Sequence, residues 1–325
     1  MKIPYCIVVG FWLILEEISK FMKDSQLPAS RRRFLETSTL AAAAGSIGLG
    51  RSAFAEKKAE PLFKISLAQW TINPELKSGK VDNLDFAKVA SDHGIFGIEY
   101  VNQFFMDKAL NAKYIAEMKL RAADLGVKSL IIMCDREGNI GDSDAKKRAQ
   151  TVENHRKWIT AAKVLGCHSI RVNAGSSGTY EEQVKLAADG LSKLTAIGAE
   201  LEINVIVENH GGLSSNGDWL AEVIKTVGHE RCGTLPDFGN FRIKDGESYD
   251  SYRGIEKLMP WAKGVSVKDM VWDDNMKQSP LDYERMLKIV LGAGFNGYCG
   301  IEHGGFAGLN ASRERLEQAR EKLSA

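Results

Sequence analysis

The chain has 325 residues, of which 44% are hydrophobic, and its 43 Lys and Arg nearly balance 42 Asp and Glu, which leaves a net charge of +1. This size and composition allow one large core, as in α/β barrels of about 250–300 residues. A charge close to zero, with no basic run carrying aromatic residues beyond the first 55 positions, argues against nucleic-acid binding.

The first 55 residues are predicted to be an export leader and not part of the fold. Ser30–Leu35 reads SRRRFL, the uncharged stretch Thr37–Gly50 follows, and Ala53–Ala55 reads AFA, which is typical of a cleavage site. Paired arginines of this kind indicate a twin-arginine signal, so we expect cleavage near Ala55 and a periplasmic protein without stable membrane insertion. A membrane anchor is the weaker alternative, because roughly 14 Ala-, Gly- and Ser-rich residues are too few to span a bilayer.

Residues 1–21 precede this signal and include a separate apolar patch, Ile7–Leu15. Met22 is our preferred start, and a short additional anchor is the alternative. Residues 56–62 are predicted to be a linker and residues 63–325 the folded domain. The four cysteines of that domain lie far apart without a C-x-x-C pair, which favours small buried side chains over zinc or redox sites.

From Phe63 onward one unit recurs, in which an apolar run typical of a β-strand is followed by a stretch with helical periodicity. Successive runs start about 30 to 40 residues apart, which is the length of a strand, a crossover helix and their loops. The eight predicted strands are Ile65–Trp70, Phe96–Tyr100, Lys128–Met133, Ser169–Asn173, Val205–Glu208, Gly233–Asp237, Gly264–Lys268 and Tyr298–Glu302.

The stretches between these runs are predicted to be amphipathic helices that end in glycine. In one of them Leu220, Val223, Ile224 and Val227 precede Gly228. Apolar positions three and four residues apart indicate a helix, and the glycine is a common C-cap. Eight alternating units with apolar strands predict a parallel sheet covered by helices, and the number favours a single closed (β/α)8 TIM barrel over a doubly wound open sheet.

Three acidic residues follow apolar runs at the ends of the fifth, sixth and eighth predicted strands. Glu208 lies in INVIVENHGG (Ile203–Gly212), Asp237 in CGTLPDFGN and Glu302 in YCGIEHGG, each with glycine close behind. The carboxyl ends of barrel strands meet at one face, so these side chains are expected to converge. Their oxygens are hard ligands that suit one divalent metal, although a single acid at such a position could instead cap a helix or pair with a lysine.

Two further side chains are candidates for proton transfer or stabilisation of charge. His210 is expected on the same strand face as the fifth-strand acid, where it could ligate the metal, bind substrate or serve the structure only. Lys268 shares a face with Ser266 in GVSVKD, and its ammonium could stabilise an enolate or merely pair with a neighbouring acid. His303 alternates to the opposite face from Glu302 and is expected to be a support residue.

Five residues near strand ends are predicted to bind the substrate. Arg171 and Asn173, in SIRVNAG, share the inner face of the fourth strand, and a buried arginine is costly unless it is paired. Glu99 lies near the end of the second strand, and the Trp70 ring at the end of the first could stack on a sugar face. Asn240, three residues after the sixth-strand acid, could donate its amide to hydroxyl groups.

Other catalytic signatures are missing from the sequence. It has no G-x-S-x-G elbow, no G-x-x-x-x-G-K-[ST] loop and no G-x-G-x-x-G after a predicted strand. Serine-hydrolase, P-loop and dinucleotide-binding functions are therefore excluded.

The chain resembles the xylose-isomerase-like TIM-barrel superfamily, the group of sugar phosphate isomerases and epimerases. The resemblance covers nearly all residues from Phe63 to the C-terminus and implies the barrel fold, a small carbohydrate substrate and one divalent metal, Mn, Mg, Co or Zn. It is carried by SLAQW (66–70), GIEYV (97–101), SIRVN (169–173), IVENHGG (206–212), LPDFGN (235–240), VSVKD (265–269) and GIEHGG (300–305).

Family members typically bind the metal with Glu, Asp, His and Glu at the ends of strands five to eight. Glu208, Asp237 and Glu302 match three of these ligands, whereas Ser266 stands where the histidine usually begins an H-x-K-D segment. Water, His210 or a shifted side chain could supply the fourth ligand. In the epimerase mechanism that the resemblance implies, the two glutamates exchange a proton on opposite faces of an α-hydroxy ketone.

The sequence favours an exported, metal-dependent isomerase or epimerase that acts on a keto-sugar or an aldose/ketose pair. The first alternative is a metal-dependent lyase or dehydratase acting by β-elimination on a 3-keto-glycoside or polyol. The second alternative, prompted by Ser266, is a non-catalytic sugar-binding barrel. An endonuclease on the same barrel is disfavoured by the near-zero charge and the scarcity of histidines. A homo-oligomer is possible, but neither its size nor the identity of the sugar follows from the sequence.

Overall fold

The computed structural model describes residues 60–324, and residues from Leu62 onward form one compact unit. The predicted leader, its twin-arginine signal and the cleavage site near Ala55 lie outside the described residues. Within residues 60–324, no helix has the length and apolar character needed to cross a membrane.

Eight parallel strands form the barrel, and consecutive strands are neighbours in the sheet. In chain order these barrel strands one to eight are Lys64–Ala68, Gly97–Val101, Lys128–Met133, Ser169–Val172, Asn204–Glu208, Cys232–Leu235, Val265–Val267 and Tyr298–Ile301. The eighth strand pairs with the first, with Ile65 beside Cys299. Between the sixth and seventh strands the sheet is completed by backbone hydrogen bonds from Ser266 N to Pro236 O (2.9 Å) and from Phe238 N to Ser266 O (3.0 Å). The predicted (β/α)8 barrel is confirmed.

Helices connect the strands and cover the outside of the barrel. The α-helices of the described residues are Asn73–Lys77, Phe86–Asp92, Ala112–Asp124, Ala145–Leu165, Tyr180–Glu200, Gly217–Val227, Ser251–Leu258, Tyr283–Gly292 and Gly305–Ser324. Short 3-10 helices occupy Gln69–Ile72, Asn83–Asp85, Asn102–Phe104, Met106–Lys108, Gly212–Ser215 and Met259–Trp261. Gly166 and Gly228 end their helices in the left-handed conformation, as predicted, whereas the helix Tyr180–Glu200 continues two residues beyond Gly198, where an end was predicted.

Two small antiparallel hairpins lie in the loops that follow barrel strands six and seven. The first pairs Arg242–Lys244 with Glu247–Ser248, and the second pairs Met270–Trp272 with Gln278–Pro280. Because both loops leave the carboxyl ends of their strands, the hairpins belong to the face where a barrel carries its active site.

Five of the eight predicted strands were too long at their carboxyl ends, and the third and fifth ended where predicted. The sixth strand ends at Leu235, because Pro236 has no N–H to continue the ladder, and Asp237 therefore lies in the following loop. The seventh and eighth strands end one residue before Lys268 and Glu302, respectively. Trp70 lies in a 3-10 helix beyond the first strand. Asp237, Lys268 and Glu302 thus project from loop residues just after their strands, whereas Glu208 is the last residue of its strand.

One outer helix approaches the barrel so closely that only glycine fits. At Gly190, in the helix Tyr180–Glu200, an added Cβ would lie 1.9 Å from the carbonyl oxygen of Ile140. We expect Gly190→Ala to lower the free energy of unfolding by about 1–3 kcal/mol, measured by urea denaturation, because backbone must move to relieve the clash. The matched control is Gly292→Ala, where no atom lies within 4 Å of the added Cβ. An equal loss in both variants would contradict the assignment of the effect to packing.

Candidate active site

The three acids singled out in the sequence meet at the carboxyl end of the barrel. Glu208, Asp237 and Glu302 each present one carboxylate oxygen, and the three oxygens lie within 4.8 Å of one another. The side chains are buried, with exposed fractions of 0%, 0% and 5%. Three carboxylates this close together repel one another unless cations or protons compensate them.

Ser266 and Lys268, from the end of the seventh strand, contact this cluster. The Ser266 hydroxyl donates a hydrogen bond to Glu302 Oε2 at 2.5 Å. Lys268 Nζ lies 2.9 Å from Asp237 Oδ2 and 3.1 Å from Glu302 Oε2. Although burial acts to lower it, the pKa of Lys268 is raised by the neighbouring carboxylates, so the side chain is an ammonium ion.

Glu208 is held from two sides. Its Oε1 accepts a hydrogen bond from Asn240 Nδ2 at 2.9 Å. Its Oε2 lies 2.9 Å from Arg171 Nε, which is an ion-pair distance, although the N–H is not aligned as a hydrogen bond. Burial raises the pKa of Glu208 well above its usual range, and the Arg171 charge opposes this shift. Arg171, and to a smaller extent Lys268, therefore favour the carboxylate form of Glu208.

Arg171 is itself fixed by polar residues at the ends of strands two to four. Its Nη1 donates to Asp135 Oδ1 at 2.8 Å, and Asn173 Nδ2 donates to the same oxygen at 2.9 Å. Gln103 Nε2 donates to Asp135 Oδ2 at 2.9 Å. Despite partial burial, the guanidinium and these donors hold the pKa of Asp135 well below its usual range. The arginine, 3% exposed, thus links Asp135 to Glu208 and is not available to pair with a charged ligand.

A pocket of about 590 Å³ opens beside the acidic cluster. Trp70 forms part of one wall, where Phe104 packs against it at a centroid distance of 6.2 Å and Lys77 Nζ lies 4.4 Å from its ring centre. His210 and His303 also reach the pocket, which is lined by Trp70, Thr71, Asn73, Pro74, His210, Asn240, Lys268, Glu302, His303, Gly304 and Gly305. An aromatic wall, an amide and an acid in one concave site are features of a small-molecule binding pocket.

His210 lines the pocket, as expected, whereas His303 shows where strand alternation stops applying. His210 is exposed at the pocket, and its backbone N–H donates to Ser214 Oγ at 3.0 Å in the loop after the fifth strand. His303, expected to face away, lines the pocket, while its Nε2 lies 2.7 Å from Ser312 Oγ. Both follow the last strand residue, so the period of two that fixes side-chain direction in a strand no longer holds.

Glu99 lies inside the barrel and does not line the pocket. Its side chain is 0% exposed, and Ser66 Oγ donates to its Oε1 at 2.7 Å. Burial raises the pKa of Glu99 to about 7, with the Ser66 hydrogen bond acting in the opposite direction. Gly300 makes room for this carboxyl, because a Cβ there would lie 2.5 Å from Glu99 Oε1. Glu99 is thus enclosed within the barrel and does not reach the pocket.

Sequence reasoning missed two residues that hold the site together. Asp135 anchors Arg171, and it follows the third strand by two positions, so the same strand-end rule could have found it. Asn209 exchanges two hydrogen bonds with the backbone of Asp237, donating to its carbonyl at 2.9 Å and accepting from its N–H at 2.8 Å. No sequence signal marks such a contact, because the partners are 28 residues apart.

The donor set of the three acids can hold a divalent cation. Glu208 Oε2 and Asp237 Oδ2 are buried and accept no aligned hydrogen bond, but each lies 2.9 Å from a cation, Arg171 Nε and Lys268 Nζ respectively. All three donors are carboxylates, which suit hard ions such as Mg²⁺ and Mn²⁺. The ammonium of Lys268 lies against two of the three residues, so the donors are free for an ion only when this side chain has moved.

The comparisons with known proteins agree with this architecture. The family model described as xylose isomerase-like TIM barrel matches residues 87–324. No curated protein sequence matches the chain significantly.

Several solved structures share the fold at low sequence identity. A D-tagatose 3-epimerase-like protein has a TM-score of 0.65 at 18% identity, with 81% of this chain and 98% of that chain covered. The 3-keto-D-glucoside 4-epimerase YcjR from E. coli has a TM-score of 0.61 at 16% identity, with 80% and 99% covered. A xylose isomerase-like TIM barrel protein from Mycobacterium smegmatis, solved in complex with magnesium, has a TM-score of 0.61 at 17% identity, with 80% and 96% covered.

Proposed function

The chain belongs to the xylose isomerase-like TIM barrel family, and we propose that it is a metal-dependent sugar isomerase or epimerase. The observation that carries the proposal is the convergence of Glu208, Asp237 and Glu302 within 4.8 Å beside a pocket of about 590 Å³. Relatives of the same fold include a 3-keto-D-glucoside 4-epimerase and a D-tagatose 3-epimerase-like protein, which supports a carbohydrate substrate.

The proposed reaction moves one proton at a carbon next to a carbonyl group. One glutamate, Glu208 or Glu302, removes the proton from that carbon, and the electron pair of the C–H bond passes to the carbonyl oxygen. The other glutamate, which starts as the neutral acid, then donates its proton to the opposite face of the same carbon for epimerisation. For isomerisation a proton is returned to the neighbouring carbon, while the proton of the hydroxyl on the deprotonated carbon passes to the former carbonyl oxygen. In this proposal Lys268, which contacts Glu302, and His210, which lines the pocket, assist at oxygen.

A divalent ion held by the three carboxylates would stabilise negative charge on the carbonyl oxygen and so acidify the adjacent C–H. Asn240 keeps the Glu208 carboxylate oriented through its 2.9 Å hydrogen bond. Trp70 offers an apolar face on which a sugar ring can stack.

We further propose that the substrate is uncharged. Among the described residues that line the pocket, Lys268 is the only lysine or arginine, and two carboxylates already pair with it. A phosphorylated sugar would have to rely on the backbone N–H groups at the start of the helix Gly305–Ser324, since this pocket offers no free lysine or arginine among those residues. The proposed export to the periplasm agrees with this, since free sugars and glycosides, and not sugar phosphates, would be met there.

Solvent exchange tests the proposed function. The protein without residues 1–55, supplied with Mn²⁺ or Mg²⁺, is incubated with ketohexoses, aldoses and 3-keto-glycosides in D₂O, and products are followed by NMR. We expect deuterium at the carbon next to the carbonyl, together with an epimer or isomer of the substrate. Elimination would instead give an unsaturated ketone that absorbs in the ultraviolet and would identify a lyase. Binding of sugars without exchange or elimination would exclude both reactions for this set.

A further inference from the structure

Lys268 occupies the place where a divalent ion would have to bind. Its Nζ lies 2.9 Å from Asp237 Oδ2 and 3.1 Å from Glu302 Oε2, so this one ammonium pairs with two of the three proposed ligand side chains, while the third, Glu208, pairs with Arg171. The side chain is only 20% exposed, and the ammonium has no competing partner outside the cluster among its ion pairs in the described residues. The ion pair is therefore largely buried at the carboxyl end of the barrel and is not a solvent-exposed surface contact.

An ion and this ammonium would compete for the same carboxylates. A divalent metal contacts carboxylate oxygens at about 2.0–2.6 Å, which is closer than the Lys268 Nζ approaches either carboxylate. Sharing both residues would bring the two positive charges within a few ångströms of each other, where they repel strongly in a buried site. Asp237 cannot easily turn away, because its Oδ1 accepts hydrogen bonds from the N–H groups of Gly239 and Asn240, each at 2.8 Å.

Ser266 restricts Glu302 in the same way. Its hydroxyl donates to Glu302 Oε2 at 2.5 Å, the same oxygen that Lys268 contacts. Neutral donors of the protein thus hold these two carboxylates in place. The lysine is the partner that can move, because its ammonium is carried on a flexible four-carbon stem that borders the pocket. A displaced ammonium would enter the pocket next to Asn240 and His210.

We propose that Lys268 is an internal counterion that fills the metal site of the metal-free protein, and that binding of a divalent ion moves its ammonium into the sugar pocket. The inference rests on the metal part of the proposed function. It gives Lys268 a second role, because the same event that loads the ion supplies a cation for substrate oxygens. Loading would thereby be coupled to the formation of the sugar-binding site.

Metal titration of Lys268→Met, which lacks the ammonium, tests whether Lys268 competes with a divalent ion for the carboxylates. Mn²⁺ binding is measured by calorimetry and by the electron paramagnetic resonance signal of free Mn²⁺, in the wild type and in Lys268→Met. Without the ammonium we expect Mn²⁺ to bind at least about tenfold tighter, equivalent to roughly 1.4 kcal/mol. Lys263→Met is the matched control, because Lys263 lies two residues before the seventh strand, at its opposite end, and its removal should leave the affinity unchanged.

Several outcomes would overturn the proposal. Equal Mn²⁺ affinity in the wild type and Lys268→Met would do so, as would a lack of Mn²⁺ binding by both proteins. The Mn²⁺ affinity of Lys268→Gln is measured in parallel as a second variant without the charge. Circular dichroism establishes that each variant is folded, so that a misfolded protein is not taken for a weak binder. A gain of affinity in Lys263→Met equal to that in Lys268→Met would also overturn it, because the effect would then be one of net charge.

A crystal structure of the wild type with Mn²⁺ tests the displacement directly. We expect the anomalous signal among the three carboxylates and Lys268 Nζ beyond hydrogen-bonding distance of Asp237 and Glu302. An ammonium still paired with both acids beside the ion would refute the inference. Failure of the inference and of the proposed function can be told apart, because deuterium exchange into sugars reports the function while Mn²⁺ affinity and the position of Nζ report the displacement.

Discussion

Glu302→Gln is expected to lower kcat for deuterium exchange into the sugar by about 10²- to 10⁴-fold. The amide cannot accept a proton from carbon, although it keeps the shape of the side chain and can still accept a hydrogen bond from Ser266. Glu302 is the proposed base that reaches both the metal cluster and the pocket. The rate is measured by NMR in D₂O at saturating substrate, with Mn²⁺ content determined by elemental analysis for each preparation.

The matched control for this variant is Glu314→Gln, which makes the same chemical change on the helix Gly305–Ser324, where Glu314 contacts Gln318. We expect its kcat to stay within about twofold of the wild type, because surface changes away from a site have small effects. If Glu302→Gln keeps its metal and loses less than tenfold in kcat, Glu302 is not the base. If it loses metal as well, Glu302 acts mainly as a ligand, and the proton transfer must be assigned elsewhere.

Arg171→Met is expected to lower the free energy of unfolding by about 3–5 kcal/mol, because it removes one partner from a buried ion-pair network. Glu208 is 0% exposed and would lose the cation that lies 2.9 Å from its Oε2. Asp135 would lose its 2.8 Å contact at the same time. Chemical denaturation at neutral pH measures the change, and methionine is chosen because it fills most of the space of the arginine stem.

The control for this prediction is an arginine with two acidic partners on the surface. Arg121 pairs with Asp85 and Glu117, but its side chain is 40% exposed, so Arg121→Met should cost no more than about 1 kcal/mol. Arg171→Lys should fall between the two, since lysine keeps the charge without the planar fork that reaches both acids. A loss below about 1 kcal/mol for Arg171→Met would mean that Glu208 is protonated in the folded protein and needs no counterion.

Local features of the sequence were enough to predict the barrel. Each strand has its own apolar run, and helix ends such as Gly166 and Gly228 are marked by glycine. These signals depend on neighbours within a few residues, because backbone hydrogen bonding and burial of one face fix strand and helix periods locally. The strand ends were less certain: Asp237, Lys268 and Glu302 lie just beyond the strands, where a proline or a turn interrupts the ladder.

The sequence by itself determined that Glu208, Asp237 and Glu302 would gather at one face, because all parallel strands of a barrel end there. Only the tertiary structure decided which atoms touch. Lys268 pairs with two acids, Arg171 joins Glu208 to Asp135, and Glu99 is enclosed within the barrel. These ion pairs join residues 31 to 37 positions apart at the ends of neighbouring strands. Their geometry follows from strand register and barrel closure, which no local pattern of residues encodes.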